Sequence, residues 1–154
     1  MERSAAASRT HMTELVLPSH TNAMGTVFGG VMMSWMDICA AICARRHARR
    51  PVVTAAVDEL HFLRPVQLGD TVLLEAEVAS VGRSSMEILV KVSRERINPD
   101  AIAEPTTQAF FTFVAIGSDG KPCEAPPLAE SNFEQAEKRR KARLNRRAEQ
   151  KTKR

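Results

Sequence analysis

Only three of the 154 residues are cysteine, Cys39, Cys43 and Cys123. That excludes a disulfide-stapled scaffold and points to a reducing, cytoplasmic compartment. Cys39, Cys43 and His47 recur at i, i+4 on one helical face, but zinc asks for about four ligands and this face offers three at most. The two cysteines read as small buried apolar side chains, and no metal is expected. No run of 18 apolar residues occurs, which excludes a membrane-spanning helix. The opening MERSAAASRTHM has no apolar core of a signal peptide and reads as a disordered lead over residues 1–12. G-x-S-x-G is absent, as is an evident Ser-His-Asp set, so serine-hydrolase chemistry has no support.

The net charge of +4 is unevenly placed. Residues 133–154 hold ten Lys/Arg and three Glu, whereas the other 132 residues hold 12 basic and 15 acidic side chains. The basic character therefore belongs to a tail, residues 128–154, expected to carry a polar helix over 133–147. No aromatic follows Phe133, so the tail offers no base-stacking platform, and nucleic acid is not an expected partner. A solvated charged helix is the simpler reading.

What is present fits one domain over residues 13–127 with an α+β pattern. Residues 13–17 read as a short strand stopped by Pro18. From Gly29 or Gly30 to about Arg46, apolar residues recur at spacings of three and four, and Arg45, Arg46 and His47 suit a helix C-terminus. Strands follow at 52–62, with Val53, Ala55 and Val57 on one face, and at 71–81, 85–95 and 106–116. The alternation of Val72, Leu74, Ala76 and Val78, then of Met86, Ile88, Val90 and Val92, across Gly82-Arg83-Ser84 predicts a hairpin. A helix apolar on more than one face must be wrapped by the sheet.

The segment with most chemistry is His20 to Asp37, HTNAMGTVFGGVMMSWMD. A helix starting at Gly-Gly presents free N–H groups and a positive dipole end. Asp37, two turns later among apolar residues, is a carboxylate costly to bury unless something uses it. Amide donors, an amide side chain and a carboxylate are the parts needed for attack on a carbonyl.

LVLPSHTNAMGTVFGGVMMSWMD, then VVTAAVDELHFLRPVQLGD, SSMEILVKV and FFTFVAIGSDGKP together resemble the hot-dog-fold acyl-CoA thioesterases over residues 13–127. The resemblance implies an antiparallel sheet wrapped around the long helix and hydrolysis of acyl-CoA to free fatty acid and CoA. It implies a homodimer as the minimal active unit, assembled further as a trimer of dimers. The only coenzyme is the CoA of the substrate. Asn22 and Asp37 match the family's catalytic asparagine and acid and would come from opposite subunits. Amides at Gly29 and Gly30 would hold the thioester oxygen, and Asp37 would act as general base or as nucleophile. The CoA phosphates need donors and cations. Gly82, Arg83, Ser84 and Ser85, with Thr54 near the site, are expected to bind CoA; Arg46, Arg49 and Arg50 are the other basic candidates. A dehydratase or hydratase of the same fold is disfavoured because no histidine lies between Thr21 and Arg46. A non-catalytic acyl-CoA-binding protein stays open.

Overall fold

The computed structural model describes residues 1–98, 100, 102–129, 141, 144, 145, 148, 149, 151 and 152. Helix α1 (Ala5–Ser8) and strand β1 (Thr10–Leu15) are followed by the long helix α2 (Gly29–Ala48) and strands β2 (Val52–Asp58), β3 (Thr71–Val81), β4 (Ser85–Glu95) and β5 (Glu104–Ala115). The strands form one antiparallel sheet in the order β1-β3-β4-β5-β2. The tail helix expected at 133–147 lies almost wholly outside the described residues.

The core is the seam between α2 and one face of the sheet. Met32, Trp35, Met36, Cys39, Ala40, Cys43 and Ala44 of α2 are buried against Val72, Leu74, Ala76 and Val78 of β3. Met86, Ile88, Val90 and Val92 of β4, with Phe111 and Phe113 of β5, complete it. The two alternating runs read from the sequence are the buried face of the β3–β4 hairpin, because a period of two puts every second side chain on one side. The other side of α2 stays open: Met33 and Ile38 are 41% and 47% exposed.

Two expectations change. Residues 1–12 are not a disordered lead in this structure. Ala5, Ser8 and Thr10 are at most 2% exposed. The Arg3 backbone bonds Pro127 O and accepts from Ala129 N, and its guanidinium donates to the His47 carbonyl at 2.8 Å. Small side chains let this segment lie close against α2, and a cation on the last helical carbonyls is favourable. Neither leaves a periodic apolar signal. In β2, Val53 and Val57 do not share a face. Register shifts between Thr54 and Ala56, so Val53 pairs with Val114 and Val57 with Phe111, on opposite sides of β5. The strand also ends at Asp58 rather than 62; Glu59 follows with φ 29°, outside strand geometry.

His47 ties this end together. Its ring is 1% exposed, Nε2 lies 2.7 Å from Pro126 O, and Nδ1 has no hydrogen-bond partner among the described residues. Burial holds its pKa below the usual 6.5, against the pull of the Pro126 carbonyl. The unfolded chain therefore binds the proton more readily, and stability falls as pH drops below about 6.5. Denaturant titrations at pH 7.5 and 5.5 should show this loss, and a flatter profile in His47→Gln.

Candidate active site

α2 begins without a side-chain cap and without an acidic residue in its first turn. Its leading N–H groups are thus left for something other than the helix itself. The loop before it is held firmly: Phe28 N bonds His20 O, Val27 N bonds Val66 O, and Gly25 takes φ 76° to close the turn. Gly29 and Gly30 differ in what they leave out. A Cβ on Gly29 would stand 3.4 Å from the Phe62 ring, whereas one on Gly30 would meet nothing within 4 Å. Among the described residues nothing near Gly30 demands a glycine, and the space over it is open.

Asn22 anchors the loop. Its Oδ1 accepts from Met24 N, Thr26 N and Thr26 Oγ1 at 2.9, 3.2 and 3.1 Å, and Nδ2 reaches Thr26 Oγ1 at 2.9 Å. This is an Asx turn. It leaves one Nδ2 hydrogen without a partner among these contacts.

Asp37 sits on the open side of α2, half-buried. Thr54 Oγ1 of β2 donates to its Oδ1 at 2.7 Å. The charge-assisted bond fixes one oxygen and leaves the other to act. Arg64, a possible ion-pair partner for Asp37, is committed elsewhere, to Glu104 at 3.7 Å and the Pro105 carbonyl at 2.6 Å. Thr54, expected near the site and at CoA, donates its hydroxyl to Asp37; its place in a strand gave no hint of this pairing. Thr54→Val removes a bond to a charged group, worth about 1.5–3 kcal/mol, so kcat should fall roughly ten- to hundredfold with KM little changed. Thr54→Ser should restore most of it.

Gly82 to Ser85 form the β3–β4 turn. Gly82 N bonds Ser85 O, a Cβ on Gly82 would strike Ser85 Oγ at 2.8 Å, and Arg83 O and Ser84 O accept from Ala125 N and Ala115 N. The glycine is therefore explained by the turn itself, while the Arg83 side chain is exposed. At the same end of the sheet, a groove of about 990 Å3 runs between α2 and the start of β2, floored by Ile38, Ile42 and Val52 and edged by Arg45, Arg49 and Arg50. Arg46 is already engaged with Arg9 O and Thr10 Oγ1, both at 3.2 Å.

These parts are not assembled within one chain. Gly29 and Asp37 are eight residues apart on a helix, about 12 Å at 1.5 Å per residue. One carbonyl cannot sit on the first amides and also be attacked by a water held by that same Asp37.

Residues 24–99 match the thioesterase superfamily model. The chain is 42% identical over 128 residues to YkhA of Bacillus subtilis, described as an uncharacterised acyl-CoA thioester hydrolase, spanning 83% of this chain and 74% of that one. Among solved structures, the acyl-CoA hydrolase of Staphylococcus aureus, in complex with butyryl-CoA and CoA, superposes with a TM-score of 0.87 at 32% identity, covering 99% of this chain and 96% of that one. An apo-hexameric acyl-CoA thioesterase gives 0.88 at 35%, covering 97% of both. The Staphylococcus aureus enzyme has also been solved with alanine in place of an asparagine, an aspartate and a threonine. Their separations, 15 and 17 residues, are those of Asn22, Asp37 and Thr54. With this sheet-wrapped helix and these matches, the chain belongs to the thioesterase superfamily and has its hot-dog fold.

Proposed function

We propose that this protein hydrolyses fatty acyl-CoA thioesters to fatty acid and CoA, at sites built from two subunits. The carrying observation is the Thr54-held carboxylate of Asp37 on the open face of α2, about 12 Å along the helix from its uncapped N-terminus. Two antiparallel copies of α2 that place Asp37 opposite Gly29 and Gly30 of the partner subunit put their two-fold axis near Met33 and Ser34. Both residues are exposed, and Met33 and Ile38 form an apolar border. β2, with Val53 50% exposed, pairs with β5 on one side and has no strand on the other among the described residues, an edge that a second copy can extend. The hexamers among its structural neighbours support a further assembly into a trimer of dimers.

In this arrangement the thioester oxygen lies on the Gly29 and Gly30 amides, and the remaining Nδ2 hydrogen of Asn22 orients the thioester or the water. Asp37 of the partner subunit takes a proton from water as its oxygen bonds the carbonyl carbon. The amides hold the resulting oxyanion. The C–S bond then breaks, and the thiolate leaves with the proton from Asp37. No cofactor is needed beyond the CoA already in the substrate. The same two-fold brings the partner's Arg45, Arg49 and Arg50 toward the Asn22 loop, where the CoA phosphates can meet cations; Arg83 lies at that end of the sheet and is a second candidate. No helix among the described residues is long and apolar enough to cross a membrane. The cysteine usage supports a cytoplasmic setting.

The test is steady-state release of CoA from acetyl-, hexanoyl- and palmitoyl-CoA, read with a thiol reagent. Turnover supports the reading. Tight binding without turnover would put an acyl-CoA-binding protein in its place.

A further inference from the structure

The loop that carries Asn22 begins and ends on His20. The His20 carbonyl accepts from Phe28 N at 3.0 Å, directly before the Gly29 and Gly30 amides, and His20 N donates to Leu17 O at 2.9 Å. Its ring answers that bond, because Leu17 N donates to Nδ1 at 3.0 Å. The same ring meets Trp35 of α2 edge to face, with centroids 4.9 Å apart and planes at 80°. Trp35 belongs to the core seam and stands between Gly30 and Asp37 along the helix. One imidazole thus ties the exit of β1, the Asn22 loop and α2 together. Leu17 precedes the 3₁₀ turn Pro18–His20, and the third residue of such a turn commonly reaches back to that backbone N–H through a Glu or Gln side chain. A histidine can do so only through an unprotonated ring nitrogen, so His20 is neutral here with its hydrogen on Nε2. Histidine is also the side chain whose charge ordinarily changes between pH 5 and 8. A second proton would sit on Nδ1 and set two donors face to face.

We infer that His20 is a positioning residue for the thioester-binding end of α2, holding the Asn22 loop and the Gly29 amide in place only while Nδ1 is unprotonated. The inference rests on the hydrolase reading above, because His20 acts through Asn22 and the helix-start amides and touches no reacting atom. The charged groups on the elements around it are Glu14 of β1, Asp37 of α2, Arg64 and Asp70. Asp37 accepts from Thr54, Arg64 pairs with Glu104, and Asp70 accepts from Gln67 N and pairs with Arg96. None of the four forms an ion pair with the ring among the described residues, so the bond from Leu17 N is the interaction that protonation removes.

The experiment follows hexanoyl-CoA hydrolysis by wild type, His20→Gln and His20→Ala between about pH 5.5 and pH 8, the range in which a histidine changes charge. Hydrogen exchange of peptides covering residues 17–30 is read by mass spectrometry at both ends of that range. Gln offers Leu17 N an amide oxygen at every pH, and Ala offers nothing. In wild type kcat should fall about tenfold toward the acid end, for one lost hydrogen bond and an opposed pair of donors, with KM little changed. His20→Gln should recover most of the rate and lose less than about threefold over the same range, whereas His20→Ala should stay near the acid wild-type level throughout. Exchange of 17–30, corrected for its intrinsic pH dependence, should quicken in acid in wild type and not in His20→Gln, while the β3–β4 hairpin stays protected in both. An active wild type whose acid loss His20→Gln reproduces overturns the assignment and leaves the hydrolase reading intact; so does a His20→Ala variant with wild-type kcat at the alkaline end. Should His20→Ala fail to fold, the His20→Gln comparison decides. If wild type hydrolyses no acyl-CoA, the hydrolase reading falls and exchange alone judges His20. An acid opening of 17–30 that His20→Gln abolishes then upholds its hold on the loop, and equal exchange overturns it.

Discussion

Asp37→Asn should reduce kcat by about a hundred- to a thousandfold while leaving the fold and oligomer unchanged, a loss of roughly 2.7–4 kcal/mol in barrier. The amide keeps the volume of the carboxylate and can still accept the Thr54 hydroxyl at Oδ1. What it loses is the ability to take a proton from water. Because the residue lies on the open side of α2 rather than in the seam with the sheet, its substitution disturbs no core packing. Circular dichroism and size-exclusion profiles should therefore overlay those of wild type. A variant that retains wild-type turnover would remove Asp37 from the mechanism.

Two inactive variants should restore one another. Asn22→Ala and Asp37→Ala, refolded or co-expressed together, form mixed dimers in which one site carries both defects and the other carries none. Random pairing makes half of the dimers mixed, so about a quarter of wild-type activity returns, from near zero in either parent. If Asn22 and Asp37 of a single chain served the same site, every site would hold one defect and nothing would return. The outcome separates the two geometries without a structure of the complex. The expected outcome rests on the length of α2, since eight residues from Gly29 to Asp37 are too far apart for one carbonyl, and on Asn22 lying in the loop that leads into the Gly29 end.

Where apolar residues alternate regularly, the sequence carried the fold well. The bounds of the β3–β4 hairpin were legible because Val72 to Val78 and Met86 to Val92 alternate, whereas its register shift between Val78 and Ser80 was not. α2 was legible from its apolar spacing and its Gly-Gly start, and extends only two residues beyond the expected Arg46. Interruptions hid the rest. One extra residue near Ala55 reverses the facing of β2, and no composition signal marks it. The order of residues 3–10 comes from close packing of Ala5 and Ser8, which in sequence resemble any small, polar lead. For the site, the residue types of Asn22, Gly29, Gly30 and Asp37 pointed to carbonyl chemistry. The hydroxyl of Thr54 beside Asp37 is a tertiary pairing across 17 residues and could not be read from either position alone.

The N-terminal segment also decides how a thiol reagent sees this protein. Cys39 Sγ lies 3.7 Å from Thr10 O and Cys43 Sγ 4.0 Å from Ser8 Oγ, so residues 8–10 form the lid over both. Burial pushes the two thiols up to about 11 and about 12, far from the thiolate that reacts. Cys123, only partly covered, is the thiol that such a reagent can reach in the folded chain. The reagent that counts released CoA thus doubles as a gauge of the lid: a truncation that starts after Thr10 would turn two silent sulfurs into labelled ones, visible as added mass while α2 and strands β2 to β5 stay formed.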